Sequence, residues 1–282
     1  MQTSSELTSM DTPSPLQHRL HESRLYFQGV RVDNVDLQEA LEVVESFIRE
    51  RRSGAAREVF FTNVHSIHLT RDDEEFRCCV NNADLVLPDG SGLKIAGRVF
   101  GHPIIENLNG TDFTPRVLER AEQHSWTVYL FGARPYIIER CRAKLQADYP
   151  KLKVVGQYHG HVQKNEQLSI LSEINGMAPD ILLVALGSPL QEKWIAQNAA
   201  GLNVGVCLAV GGLFDFLAGE YKRAPLWVRR IGAEFVYRFA QDPRSKWQRI
   251  FIEQPFFLLR VFVARVIPWR TLGFFTHPEG ET

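Results

Sequence analysis

Asp89 follows the apolar run 83–87 (ADLVL) and one proline, and Gly90-Ser91-Gly92 follows it in turn. A carboxylate at such a point either caps the next helix or, inside a cleft, takes a proton as a general base. Four other apolar runs end in small or polar residues: EVFF in Thr62-Asn63, TVYLF in Gly132-Ala133-Arg134, ILLVAL in Gly187-Ser188-Pro189-Leu190-Gln191-Glu192, and VCLAV in Gly211-Gly212. Asp89 is the one carboxylate of the five sets that does not already sit in a helical stretch. If the runs are strands of a parallel sheet, all five sets gather at the edge where such sheets bind ligands. Glycines there let a backbone approach the ligand, and helix starts beside them attract phosphate, so a nucleotide-type ligand is expected.

The elements that must position these residues alternate along the chain. Asp36 should cap a helix whose Leu37, Leu41, Val44 and Ile48 share one face. Buried strands are expected over residues 58–62, 83–87, 126–131, 153–157, 180–186 and 203–210, with helices opened by Thr111-Asp112 and by Pro135 among those between them. Strands this apolar, separated by helices, predict an α/β fold: a Rossmann-like, mostly parallel sheet covered by helices on both faces. Residues 1–25, rich in Ser, Thr and Pro, read as a flexible tail, and residues 26–219 as the catalytic domain. From residue 220 to 282 the pattern becomes helical, basic and aromatic with no strand candidate, which reads as a helical appendage that associates with a membrane.

Composition narrows the class further. The 282 residues are 44% hydrophobic and 23% charged with a formal net charge of -1, which suits a globular core and gives the whole chain no field to gather nucleic acid. The balance is uneven, since residues 220–270 carry eleven basic and four acidic side chains, a net +7 that leaves -8 elsewhere. Four cysteines without C-x-x-C spacing suggest neither a zinc site nor a disulfide scaffold, and a reducing cytosol fits them. The first residues lack a signal peptide's basic start and apolar run. The longest apolar stretch, 255–269, is interrupted by Arg260 and Arg265 and falls short of the ~20 residues that cross a bilayer. Its Phe and Trp residues with interrupting arginines suit a helix lying on an anionic surface instead.

No metal site is expected. His65 and His68, three apart, lack a third ligand at a readable spacing, so a structural or substrate-contact role is assigned to both. The acidic run Asp72-Asp73-Glu74-Glu75 is read as a solvated helix start. A dinucleotide-dependent dehydrogenase is disfavoured because no strand is followed by G-x-G-x-x-G with an acid about 20 residues on.

Three separated motifs carry a resemblance: residues 187–194 (GSPLQEKW), 210–225 (VGGLFDFLAGEYKRAP) with Trp227, and 234–244 (EFVYRFAQDPR). With Thr62-Asn63, ADLVLPDG, the turn Asn109-Gly110-Thr111-Asp112 and YLFG in the same order, the stretch from Val30 to Arg249 resembles the WecG/TagA/CpsF glycosyltransferase family. The resemblance implies inverting transfer of a hexose or N-acetylhexosamine from a UDP-sugar to a polyprenyl diphosphate-linked saccharide, without a cofactor, at the inner face of the cell membrane. It implies Asp89 as base, with Thr62 and Gln191 in the same pocket. It also implies substrate contacts by Asn63, Asn107, Asn109, Asp112, Gly132, Gly187, Glu192, Gly211 and Gly212, and by Arg229, Arg230 and Arg238 of the appendage reaching over the diphosphate. The partners it implies are the sugar donor, the lipid-linked acceptor and an anionic membrane, with a homo-oligomer left open. Where many members carry Glu-Arg before the Gly-x-Asp turn, this chain has Glu106-Asn107, which keeps UDP-glucose beside UDP-N-acetylmannosamine as donor. The alternative reading is a membrane-associated nucleotide-sugar-binding protein without activity.

Overall fold

The computed structural model describes residues 15–51, 56–163, 165–222, 224–225, 228, 234–266 and 275–276. Its strands are β1 (Arg24–Phe27), β2 (Val30–Asp33), β3 (Arg57–Thr62), β4 (Leu85–Pro88), β5 (Thr127–Gly132), β6 (Lys153–Tyr158), β7 (Ile181–Ala185), β8 (Val206–Ala209) and β9 (Phe275–Thr276). The helices of the body are α1 (Pro15–Glu22), α2 (Leu37–Arg49), α3 (Val64–Leu69), α4 (Glu74–Asn82), α5 (Ser91–Val99), α6 (Gly110–His124), α7 (Pro135–Asp148), α8 (Gln167–Met177), α9 (Leu190–Asn198) and α10 (Leu213–Leu217). Six strands form one sheet in the order β4-β3-β8-β7-β5-β6, every neighbouring pair parallel. This is the expected α/β architecture.

The two faces of the sheet follow the period of two in its strands. Val59, Phe61, Leu130, Leu183 and Leu208 point into one core, and Phe60, Tyr129, Phe131, Leu182 and Cys207 into the other. Steps toward the β4 edge, from β3 to β4, β6 to β7 and β7 to β8, place α3, α4, α8 and α9 against the second core. Steps the other way, from β4 to β5 and β5 to β6, place α6 and α7 against the first. Opposite directions use opposite faces when crossovers are right-handed, which accounts for these helices, while α5, in the same β4-to-β5 connection as α6, packs against the second core. All six strand ends therefore face the same way.

Local sequence explains the helix starts. Asp36 caps α2 by accepting from the Glu39 N–H at 2.9 Å while Glu39 returns a bond to the Asp36 N–H, a full capping box. Pro135 opens α7 as expected. For α6 the cap is Asn109 rather than Thr111-Asp112, because the Asn109 Oδ1 accepts from the Asp112 N–H at 3.0 Å. In the acidic run, Asp73 caps α4 and Lys193 bridges Asp73 (2.9 Å) and Glu75 (2.6 Å), which makes it a charged helix start as expected.

Two terminal regions differ from the expectation. The tail read over residues 1–25 is helical over Pro15–Glu22 with Leu20 buried, and Arg24 already belongs to a strand. β1 and β2 form a hairpin turned by Gln28 and Gly29, both at positive φ, and β9, a strand absent from the sequence reading, pairs with β1. The hairpin is fixed to the sheet by a buried pair. Arg31 donates twice to Asp33 at 2.8 and 2.9 Å and to the carbonyls of Ala83 and Asp84, while Asp33 accepts from the Val86 N–H at 2.7 Å. That last bond satisfies a backbone donor on the outermost strand, an otherwise open edge.

The helices Glu234–Gln241, Pro243–Gln248 and Gln254–Val266, the last two joined by a π-helical turn (Arg249–Glu253), belong to the expected appendage. They do not stand apart from the body. Phe257, Val261 and Ala264 are buried in the same core as Leu93 and Ala96 of α5. No helix among the described residues is long and apolar enough to cross a membrane.

Candidate active site

A cavity of about 310 Å³ opens at the carboxyl ends of β4, β3, β8 and β7. Of the residues singled out in the sequence, Asn63, Asp89, Asn109, Gly187, Gln191, Gly211 and Gly212 line it together. Strand order explains the assembly, since β4, β3, β8 and β7 are consecutive in the sheet although they are far apart in the chain.

Asp89 leaves β4 with its N–H on the Thr62 carbonyl at 2.8 Å, so the end of one strand is fixed to the next. Its carboxylate accepts a bond from Asn63 Nδ2 at 3.3 Å. Asn63 is set by its own Oδ1, which caps α3 by accepting from the Ser66 N–H at 3.0 Å. The residue capping α5 is Gly90, without a side-chain bond, so Asp89 does not serve as that helix's cap. Gly90 has φ +103°, a conformation that disfavours a side chain and lets the chain turn away behind the carboxylate.

Gln191 and Glu192 open α9 and take different roles. Gln191, on the cavity wall, accepts from the Gly211 N–H at 2.9 Å and donates to Glu192 at 2.9 Å, which ties the loop after β7 to the loop after β8. Glu192 also accepts from Ser188 Oγ at 2.7 Å and is 2% exposed. Burial pushes its carboxyl above the usual carboxylate range. Glu192 is therefore behind the wall rather than on it, and it positions Gln191.

Four more expected contacts lie outside the cavity lining. Thr62 is fully buried at the end of β3, and its hydroxyl has no partner among the described residues. Asn107 turns its Oδ1 to the Gly90 N–H and so holds the loop carrying Asp89, a task for which an arginine has no acceptor. Asp112 is held by Asn109 Nδ2 at 2.8 Å. Gly132, at φ +127°, packs so closely on β7 that a Cβ would come within 2.3 Å of the Ala185 carbonyl oxygen. For Thr62, Asn107 and Asp112 the sequence does not show which way the side chain turns.

The C-terminal segment closes the cavity with residues the sequence reading did not choose. Gln241 and Arg249 line it, as do Asp215, Phe216 and Tyr221, with Tyr221 donating to Asp242 at 3.3 Å. Gln241 exchanges two bonds with the Lys222 backbone, which holds the segment against the body. Arg229 and Arg230 lie outside the described residues, as does the side chain of Arg238. Arg249, a member of the basic stretch counted in the sequence, is the arginine placed at the cavity. His65 lines it too, from α3, with Nδ1 2.8 Å from Glu253. No group of three or more metal-ligating side chains occurs among the described residues.

Residues 25–271 match the family described as Glycosyl transferase WecG/TagA/CpsF. The chain is 30% identical over 175 residues to an N-acetylglucosaminyldiphosphoundecaprenol N-acetyl-beta-D-mannosaminyltransferase of Bacillus spizizenii, covering 62% of this chain and 67% of the relative. A protein of the same name from Bacillus subtilis is 27% identical, with 77% and 83% covered. Another from Staphylococcus aureus is 24% identical, with 83% and 90% covered. A match over nearly the whole described chain, on a parallel sheet whose strand ends converge on one carboxylate-bearing cavity, is decisive for the family: the chain belongs to the WecG/TagA/CpsF glycosyltransferases and is a glycosyltransferase.

Proposed function

We propose that the protein transfers a hexose or N-acetylhexosamine from a UDP-sugar to a polyprenyl diphosphate-linked saccharide with inversion at the anomeric carbon, at the inner surface of the cell membrane, in surface or exopolysaccharide synthesis. The carrying observation is the Asp89 carboxylate on the wall of the cavity, oriented by Asn63 and released from helix capping by Gly90. An inverting displacement needs one base: the acceptor hydroxyl gives its proton to Asp89, its oxygen bonds the anomeric carbon, and the UDP oxygen leaves with the electron pair of the broken bond. The departing diphosphate needs positive or hydrogen-bonding groups. Arg249 on the same wall can supply the positive charge.

Names of the relatives favour an N-acetylmannosamine donor and an N-acetylglucosamine-bearing acceptor, while Asn107 keeps UDP-glucose in the comparison. The basic C-terminal segment presents the cavity to a lipid-linked acceptor at the anionic surface. The test is a transfer assay with UDP-N-acetylmannosamine and UDP-glucose on a synthetic prenyl diphosphate-linked sugar, with wild type and Asp89→Asn compared. Wild-type transfer and a loss of about 10² to 10⁴ in rate in the variant are expected. Near-native turnover by a folded Asp89→Asn protein removes Asp89 from the mechanism, and wild type without transfer favours the reading as a nucleotide-sugar-binding protein. Activity is expected to survive excess EDTA; loss reversed by Mg²⁺ or Mn²⁺ overturns the metal-free scheme.

A further inference from the structure

His65 has features that a wall residue does not need. It stands on the first turn of α3, two positions after Asn63, which holds Asp89, and it lines the same cavity. Its Nδ1 is 2.8 Å from an oxygen of Glu253, whose side chain is 9% exposed, in the π-helical turn Arg249–Glu253. One turn of the C-terminal segment thus delivers two side chains to the cleft region: Arg249 to the wall and Glu253 to the imidazole. Such turns inside helices recur at functional sites.

Chemistry fixes what this contact does to the ring. A carboxylate can only accept, so the proton of the neutral imidazole sits on Nδ1, and Nε2 keeps its lone pair. Burial first, and the Arg249 cation second, hold His65 below the usual imidazole value against the upward pull of Glu253. The charged and titratable groups around it are Arg249 and Glu253 from the C-terminal segment, His68 from its own helix, and Asp89, Asp215 and Tyr221 on the wall of the same cavity. A neutral ring bonded in this way offers an acceptor, which suits a sugar or ribose hydroxyl and repels a phosphate oxygen.

Resting on the transferase reading above, we infer that His65 is a substrate-contacting residue whose Nε2 accepts a hydroxyl of the nucleotide sugar or of the acceptor saccharide, and that Glu253 is the residue that positions it. The C-terminal segment then sets the orientation of a group in the site as well as closing it. Protonation of His65 turns the acceptor into a donor, so kcat/KM falls on the acid side as the ring charges.

The test compares wild type, His65→Gln, His65→Phe and Glu253→Gln in the transfer assay across pH, together with ¹⁵N spectra of the His65 ring. Expected are an Nδ1–H tautomer in wild type and a ring resonance that moves on adding the UDP-sugar or the acceptor. His65→Phe should lose about tenfold or more in kcat/KM, the cost of leaving a buried partner unpaired. His65→Gln, which keeps an acceptor, should recover part of that loss and remove the ring's contribution to the acid limb, leaving only that of the base Asp89. Removing the Glu253 charge should move the limb to lower pH, because that charge raises the imidazole. A structural role alone would not move the limb. A limb unmoved in Glu253→Gln, kcat/KM within twofold in His65→Phe, or an Nε2–H tautomer overturns the inference while wild-type transfer upholds the reading beneath it. If wild type transfers nothing, that reading fails, and a ring resonance unmoved by both sugars sinks the inference with it.

Discussion

At the scale of single residues, position after a strand is legible in sequence and side-chain direction is not. Asp89, Gln191, Asn63 and the glycines 187, 211 and 212 meet at one cavity because parallel strands end on one side of the sheet, and apolar runs mark those ends. Glu192 follows Gln191 directly, yet a helix turns successive side chains by about 100°, so Gln191 lines the cavity and Glu192 sits behind it against Ser188. Away from the site, Glu58 shows how burial sets a titration. Burial, with Asp84 beside it, pushes its carboxyl up to about 7 from 4.5. The folded protein therefore binds this proton more tightly than the unfolded chain, so the associated stability is full below pH 4.5 and is lost as pH rises through about 7. Glu58→Gln should raise the urea midpoint relative to wild type at pH 8 and lose that advantage at pH 4.5. An advantage equal at both values would show that Glu58 does not titrate in this window.

At the scale of elements, the periodicities of 2 and 3.6 identify the six parallel strands and most of the helices around them, because each element buries one face or stripe against a common core. What they miss is short. β1 and β2 have four residues each and β9 two, and the hairpin signal was the Gln28-Gly29 pair between RLYF and VRVD. That hairpin depends on one buried carboxylate, since Asp33 is fully buried and serves Arg31, the more distant Arg24 and the Val86 N–H. Removing one partner leaves a buried guanidinium without its counter-charge and a strand edge without its acceptor, at a cost of about 3–5 kcal/mol. Asp33→Ala should lower the denaturant midpoint accordingly, whereas Arg31→Met with Asp33→Leu should recover part of the loss by replacing the pair with apolar packing. Recovery absent and a loss under ~1 kcal/mol would mean that the hairpin is held by its apolar side chains alone.

At the scale of the whole molecule, the basic C-terminal segment was legible as a composition change but not as a part of the core. Its final helix has two apolar faces: Phe257, Val261 and Ala264 are buried against the body, while Leu259, Phe262 and Val266 are 59%, 53% and 77% exposed. Phe256 lies between the guanidinium groups of Arg71 and Arg260, at 5.7 and 5.9 Å from its ring centre, which brings cations to the border of the exposed face. A truncation at Pro255 thus removes core packing together with the outer face, and a loss of stability is expected. The outer face is separated from the fold by Leu259→Ser, Phe262→Ser and Val266→Ser made together. These positions touch water in the free protein, so thermal stability should change little. If the helix lies on an anionic bilayer, the loss of inserted apolar area removes the salt-resistant part of binding and leaves a weak attraction through arginines that salt screens. Wild type should therefore sediment with anionic vesicles at both 0.1 and 0.5 M salt, and the triple variant only at the lower value. Equal sedimentation of the two proteins at high salt would place the membrane contact elsewhere on the molecule, and transfer to a short, water-soluble acceptor by the triple variant at the wild-type rate would show that the outer face serves the lipid and the inner face the active site.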